Sequence, residues 1–226
     1  MTSTTPITIR AVIADWCGTL ERNTASRIEA LQNVCSDLKL KALDRETCKK
    51  ISGMSQFDTF ELICTLNDHT IDRKTFDKNY YNHRQYIDTG LIMSAHTKAW
   101  LMQHTKFCLF TNGSRATVNK NIEKYQLHGC FQQITTPDEF PAKPNPEMLK
   151  FISKALKIPL QECLVVGDHP FDLLAAEAAG APCVIVETGL SNPDDFIDLP
   201  PALAHVASIN DVPKLIEQIN TASNSS

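Results

Sequence analysis

Three short apolar runs, each halted by a polar residue at its carboxyl end, constrain this chain more than any other feature. Ala11-Val12-Ile13-Ala14 runs into Asp15, Phe107-Cys108-Leu109-Phe110 into Thr111, and Cys163-Leu164-Val165-Val166-Gly167 into Asp168. The first opens at Ile7 and carries no charge after Arg10. Such short, uninterrupted runs predict strands of a parallel sheet covered on both faces. In open parallel α/β sheets ligands lie beyond the carboxyl ends of the strands, so the three polar tips are expected to share one crevice.

Between the first tip and the second the periodicity changes. From about Asn23 to Ile87 the residues read as successive helices: Thr24 to Leu40, a segment capped by Asp44 and closed at Gly53, Ser55 to Leu66, and Asp72 to Tyr86. This predicts an all-helical insert. From Gly90 onward strands and helices alternate, with helices at Ser94 to His104, Ser114 to Gln126 and Pro170 to Ala179, the last closed by Gly180. A helix opens at Asn145-Pro146-Glu147, with asparagine as cap and proline in the first turn. Strands are expected near Gln133 to Thr135, Cys183 to Val186 and His205 to Ile209, then a helix over Val212 to Ile219 and a disordered tail from Thr221 to Ser226.

Composition narrows the partners. The 226 residues carry a net charge of −4, which leaves no basic footprint for nucleic acid or an anionic membrane. The eight cysteines include no Cys-x-x-Cys pair and mostly sit in apolar segments, as reduced buried thiols do. Met1 to Thr5 is polar, and no apolar run is long enough to span a bilayer. A soluble cytoplasmic protein is expected.

Lys143, stiffened by Pro141, Pro144 and Pro146, and Asp172, four residues after Asp168, complete a set that can converge on Asp15. Two aspartates, a lysine and the Thr111 hydroxyl beneath a lid suit a Mg²⁺-assisted phosphoryl site, because Mg²⁺ takes hard oxygen ligands from a few carboxylates, phosphate and water. Lysine neutralises phosphate oxygens, and Thr111 with nearby backbone N–H groups orients them.

The arrangement resembles the haloacid dehalogenase superfamily, in the subgroup with a helical cap inserted after the first motif. Asp15-Trp16-Cys17-Gly18-Thr19, Leu109-Phe110-Thr111-Asn112-Gly113, Lys143-Pro144-Asn145-Pro146 and Val166-Gly167-Asp168-His169-Pro170-Phe171-Asp172 match its four motifs in order. The resemblance implies a nucleophilic Asp15 that forms an aspartyl-phosphate. It implies Mg²⁺ held by Asp15, Asp168 and the backbone carbonyl of Cys17, with Thr111, Asn112, Gly113 and Lys143 on the phosphoryl group. Asp172 would fix Lys143 or a metal-bound water.

Cys17 departs from the pattern, since phosphatases of this family carry there the aspartate that acts as acid and base. Losing such help costs on the order of 10²–10⁴ in rate. Phosphonatases also lack that aspartate and use a cap lysine; the matching stretch Gly53-Met54-Ser55-Gln56 puts Gln56 there, and glutamine forms no imine. Gln56 is a candidate substrate contact, and Gly53 to Phe57 a candidate specificity loop. Lys49 and Lys50 read as a solvated helix face, Arg115 as a surface ion pair, His169 as a loop histidine, and Trp16 as packing beneath the cap hinge. The fold expected is α/β, a Rossmann-like parallel sheet core (residues 1–21 and 90–226) with a helical cap (22–89). The function expected is Mg²⁺-dependent hydrolysis of a small phosphorylated molecule, slowed by Cys17. A non-catalytic phosphate-binding protein, a phosphonatase and a dehalogenase remain alternatives.

Overall fold

The computed structural model describes residues 7–68, 71–84 and 89–224, so the polar Met1 to Thr5 lies outside the described residues. Ala11–Ala14 forms β1, buried along its whole length, and Glu21–Arg22 forms β2. Then come α1 (Thr24–Asp37), α2 (Arg45–Ser52), α3 (Gln56–Leu66) and α4 (Arg73–Arg84). β3 (Gly90–Leu91) returns antiparallel to β2, pairing Glu21 with Leu91 and Arg22 with Gly90. The alternating part follows as α5 (Ala95–His104), β4 (Lys106–Phe110), α6 (Arg115–Lys124), β5 (Ile134–Thr135) and α7 (Glu147–Leu156). It ends with β6 (Cys163–Gly167), α8 (Pro170–Ala179), β7 (Cys183–Val186), β8 (Ala204–Val206) and α9 (Val212–Asn224).

Among the described residues, the sheet has six parallel strands in the order β5-β4-β1-β6-β7-β8. β1 lies where the strand order reverses, which is where an open α/β sheet leaves a crevice. Ala14 is in register with Leu109 of β4 and Val166 of β6, so Asp15, Thr111 and Asp168 leave the same edge within a residue of one another. Side chains alternate between two cores. Val12, Phe107, Leu109 and Val166 pack with Leu101, Val118 and Ile216 on one face. Ile13, Cys108, Phe110 and Val165 pack with Met148, Ile152 and Leu173 on the other.

The helices α1 to α4 enclose a third core of Ile28, Leu31, Val34, Ile51, Phe60, Ile63 and Phe76, with the Phe60 and Phe76 rings edge-on at 5.2 Å. Serine or aspartate caps start four of the helices: Asp44, Ser55, Ser94 and Ser114 each accept from the backbone N–H three residues on. Among the described residues, no helix is long and apolar enough to cross a membrane.

Several boundaries differ from the sequence reading. β1 starts at Ala11 rather than Ile7, because the Asn220 side chain occupies both the N–H and the carbonyl of Ile9. The helix expected to begin at Pro146 begins at Glu147; Pro146 is itself the cap, and Asn145 Oδ1 accepts from the Glu147 N–H. The tail expected to be disordered is helical through Asn224, anchored where Ser223 Oγ donates to the Ile7 carbonyl at 2.5 Å; Ser225 and Ser226 lie outside the described residues. The end of the fourth cap helix, expected at Tyr86, also falls outside them. The last strand covers Ala204–Val206, and Ile209 opens a short turn instead. The β2–β3 pair was not foreseen, since two residues carry no periodicity.

Candidate active site

Lys143 is the centre of the site. Its ammonium donates to Asp15 Oδ1 at 2.5 Å and to Asp172 Oδ1 at 2.6 Å, and all three side chains are buried. The Phe110 ring lies 3.9 Å from Nζ, adding a cation–π contact to the cage. Asp172, in the first turn of α8, also accepts from the backbone N–H groups of Asp168 and His169 through Oδ2. It therefore ties the lysine to the loop beyond β6. Asp168 accepts from Thr19 Oγ1 at 2.9 Å. Carboxylate oxygens of Asp15, Asp168 and Asp172 all lie within 4.8 Å of one another.

Backbone conformation makes this approach possible. Gly18 has φ of 81°, and a Cβ there would collide with the Asp168 carboxylate, so only glycine fits. The loop beyond β7 closes over the same turn, with Thr188 Oγ1 donating to the Gly18 carbonyl.

Three buried carboxylates face one ammonium, and the electrostatics register the imbalance. Burial pushes Asp15 above the usual carboxylate range despite the pull of Lys143. Burial, reinforced by Asp15 and then Asp172, pushes Asp168 well up. For Lys143, burial alone acts downward, but Asp15 and Asp172 outweigh it and hold the ammonium above its ordinary value. An uncompensated cluster of hard oxygen donors is the chemistry that fits a divalent cation such as Mg²⁺.

Thr111 and Gly113 face the same chamber, with the Gly113 N–H donating to Thr111 Oγ1 at 3.1 Å. Asn112 also borders it, yet its amide is engaged. Oδ1 accepts from the Lys143 N–H at 2.8 Å, and Nδ2 donates to the carbonyls of Lys143 and Gly53. The residue expected to contact substrate thus holds the lysine loop and meets the cap.

From the cap, Gly53 reaches the chamber and packs so closely on the His169 ring that a Cβ would overlap it. His169 Nε2 meets the Lys49 carbonyl at 3.2 Å, and burial lowers the imidazole pKa to about 4. Lys49, expected on a solvated face, pairs with Asp195 of the core at 3.0 Å. Gln56 is not at the chamber. It donates to Asp77 Oδ1 at 2.9 Å and lines a neighbouring cavity, while Phe57 points to solvent at 61% exposure. The helix α3 begins at Gln56 and turns both side chains along the cap. Arg115 pairs with Glu139 away from the site. Trp16 is buried and donates to Glu21 Oε2 at 2.6 Å, beside the β2–β3 ribbon.

Sequence reasoning missed Arg27 and Glu21. Arg27 donates to the carbonyls of Ser52 and Met54, fixing the turn that carries Gly53. Its signal was its half-buried place on α1, next to the buried Ile28 and at helical spacing from the buried Thr24 and Leu31. Glu21 is fully buried and accepts from Trp16, Asn23, Asn121, Thr89 and Tyr125. Cys17 borders the chamber, its thiol pushed up to about 11 by burial and accepting from Asn23 Nδ2. The enclosed space is about 20 Å³, room for roughly one water.

A family model described as haloacid dehalogenase-like hydrolase matches residues 12–186. Over 109 residues the chain is 33% identical to a phosphoglycolate phosphatase of Pseudomonas fluorescens, covering 47% of this chain and 40% of that protein. The chain thus spans less than half the length of that curated relative. Pyrophosphatase PpaX of Anoxybacillus flavithermus is 26% identical over 183 residues, covering 76% of this chain and 80% of that one. Among solved structures, a hydrolase from Pseudomonas syringae has the same fold, with a TM-score of 0.78 at 21% identity over 93% of this chain and 99% of that chain.

Proposed function

This chain belongs to the haloacid dehalogenase-like hydrolase family, and from that premise we propose that it is a Mg²⁺-dependent phosphatase of a small phosphorylated molecule, working through an aspartyl-phosphate at Asp15. The observation that carries the reading is the Lys143 ammonium bridging Asp15 and Asp172 beside Asp168. Similarity to a phosphoglycolate phosphatase and a pyrophosphatase supports the same class of chemistry. We take residues 1–21 and 90–226 as the catalytic core and 22–89 as the cap. The eight unpaired cysteines support a cytoplasmic setting.

In this mechanism Lys143 holds Asp15 Oδ1, and the other carboxylate oxygen attacks phosphorus. Lys143 stays charged and neutralises the phosphoryl oxygens, with Asp172 fixing its position. Thr111 and Gly113 orient the same oxygens. Mg²⁺ held by Asp15, Asp168 and the Cys17 carbonyl would supply further charge neutralisation for the phosphoryl group. Burial around Lys143 and Asp172 excludes bulk water, which strengthens each of these interactions.

Cys17 gives this phosphatase no carboxylic acid beside the nucleophile. A thiol pushed up to about 11 is a poor proton donor and a worse base for water at neutral pH. Alkyl phosphates are therefore turned over slowly. The same residue supports the second reading, a phosphate-binding protein without turnover. A phosphonatase is disfavoured because Gln56 is tied to Asp77 and Lys49 to Asp195. Phosphate release with Mg²⁺ or EDTA, from wild type, Asp15→Asn and Cys17→Asp, tests the proposal. Release that needs both Mg²⁺ and Asp15 supports it. Tight phosphate binding without release from wild type selects the second reading.

A further inference from the structure

Beside the reaction chamber, between cap and core, lies a cavity of about 460 Å³. Among the described residues, four cationic side chains line it (Arg27, Arg84, Lys120 and Lys124) against one carboxylate, Glu21, whose oxygens already accept from five donors. Among the described residues, neither Arg27, Arg84 nor Lys120 forms an ion pair. Arg84 lies over the Tyr80 ring at 5.9 Å, and Arg27 spends two donors on backbone carbonyls. Guanidinium and ammonium groups that outnumber the carboxylates of a cleft recognise anions.

Cys17, Arg27, Asn112 and Gly113 line both this cavity and the chamber, so they stand at the passage between them. None is a carboxylic acid, and one is a guanidinium. A leaving oxygen at the passage meets positive charge instead of a carboxylic acid. Of the phosphorylated molecules that could enter, those whose leaving half departs as a stable anion match this lining.

We propose that the cavity receives the leaving half of a phosphoric anhydride, an acyl phosphate or a diphosphate, with Arg27 facing the departing oxygen and Arg84 and Lys120 holding its charge. The inference rests on the phosphatase reading above. Asp15 attacks phosphorus, and the bond from phosphorus to the bridging oxygen breaks with its electron pair. The leaving half departs as a carboxylate or phosphate anion and takes up no proton. Water then attacks the phosphorus of the aspartyl-phosphate, the bond to Asp15 breaks, and the protons of water leave with inorganic phosphate and solvent.

The test is steady-state kinetics of the full chain with Mg²⁺ on inorganic pyrophosphate, acetyl phosphate, p-nitrophenyl phosphate and glycerol 3-phosphate. The better anhydride is expected to exceed glycerol 3-phosphate in kcat/KM by about 10² or more. Preference for pyrophosphate assigns the diphosphate form and preference for acetyl phosphate the acyl form. Arg84→Gln is expected to raise KM for that anhydride about tenfold more than KM for p-nitrophenyl phosphate, with partial rescue in Arg84→Lys. Lys120→Gln, on the exposed rim, is read in the same way if Arg84→Gln does not fold. Hydrolysis of p-nitrophenyl phosphate with no preference for either anhydride, or an equal KM change on every substrate, overturns this inference and leaves the phosphatase reading standing. No release from any of the four substrates overturns both.

Discussion

Asn112 grips Lys143 through the main chain, with Oδ1 accepting its N–H at 2.8 Å and Nδ2 donating to its carbonyl at 3.3 Å. The same Nδ2 donates to Gly53 of the cap at 2.8 Å. One side chain therefore sets the position of the lysine and registers the cap upon it. Asn112→Ala should lower kcat by about a hundredfold, the cost of misplacing a catalytic group by roughly an ångström. Stopped phosphate-release assays, with circular dichroism to verify folding, check this; an unchanged kcat contradicts the positioning role.

Lys143→Met removes the one ammonium from among three buried carboxylates. Leaving such charge uncompensated costs about 3–5 kcal/mol. Without the lysine Asp15 and Asp168, already raised by burial, hold protons more tightly still, so the variant binds more protons folded than unfolded. Its stability should fall as pH rises above the ordinary carboxylate range. Urea titrations at pH 5 and pH 8 measure the difference, and equal losses at both pH values would contradict it.

The proposed Mg²⁺ site is testable through the same charges. Asp15 and Asp168 are raised in the folded state, so their contribution to metal-free stability is present below the unfolded value of 3.8 and is lost as pH rises through the folded values. Mg²⁺ should restore that stability near neutrality, by about 4 kcal/mol at a thousandfold excess over its Kd. Thermal melts in Mg²⁺ and in EDTA check the shift. Asp168→Asn should abolish most of it.

His169 titrates in the opposite sense. Burial holds its pKa at about 4, below the 6.5 of an ordinary imidazole, so the unfolded chain takes up the proton first. Its contribution is complete above the unfolded value and is lost as pH falls from 6.5 towards 4, a difference on the order of 3 kcal/mol. Subtracting the stability profile of His169→Asn from that of wild type isolates this slope. A flat difference between pH 4 and 6.5 would count against a buried neutral imidazole.

Much of this architecture is legible from residues alone, for identifiable reasons. Strands of a parallel sheet are buried on both faces, so β1, β4 and β6 stand out as apolar runs, and each tip residue is the first polar one after them. The cap Asp44 and the helix starts at Ser55, Ser94 and Ser114 are legible because such side chains bond the backbone locally. Three-dimensional pairings are not readable in that way. Besides Glu46 in its own helix, Lys49 pairs with Asp195, and Gln56 bonds Asp77; nothing near either residue in sequence points to those two distant partners. Glu21 resembles a surface charge until its donors arrive from the core, its helices and the cap linker. Asn145 failed as a cap because Pro146 took the cap position itself.

The ribbon of Glu21–Arg22 with Gly90–Leu91 means that the polypeptide departs from and rejoins the sheet at neighbouring points. Whatever the chain does between those points, the gap it must bridge is a single interstrand spacing. The four helices are thus a cassette with abutting ends, replaceable by another of different size without shifting a single strand tip. Selectivity and chemistry can then diverge on separate timetables, one recorded in the cassette and the other in the sheet.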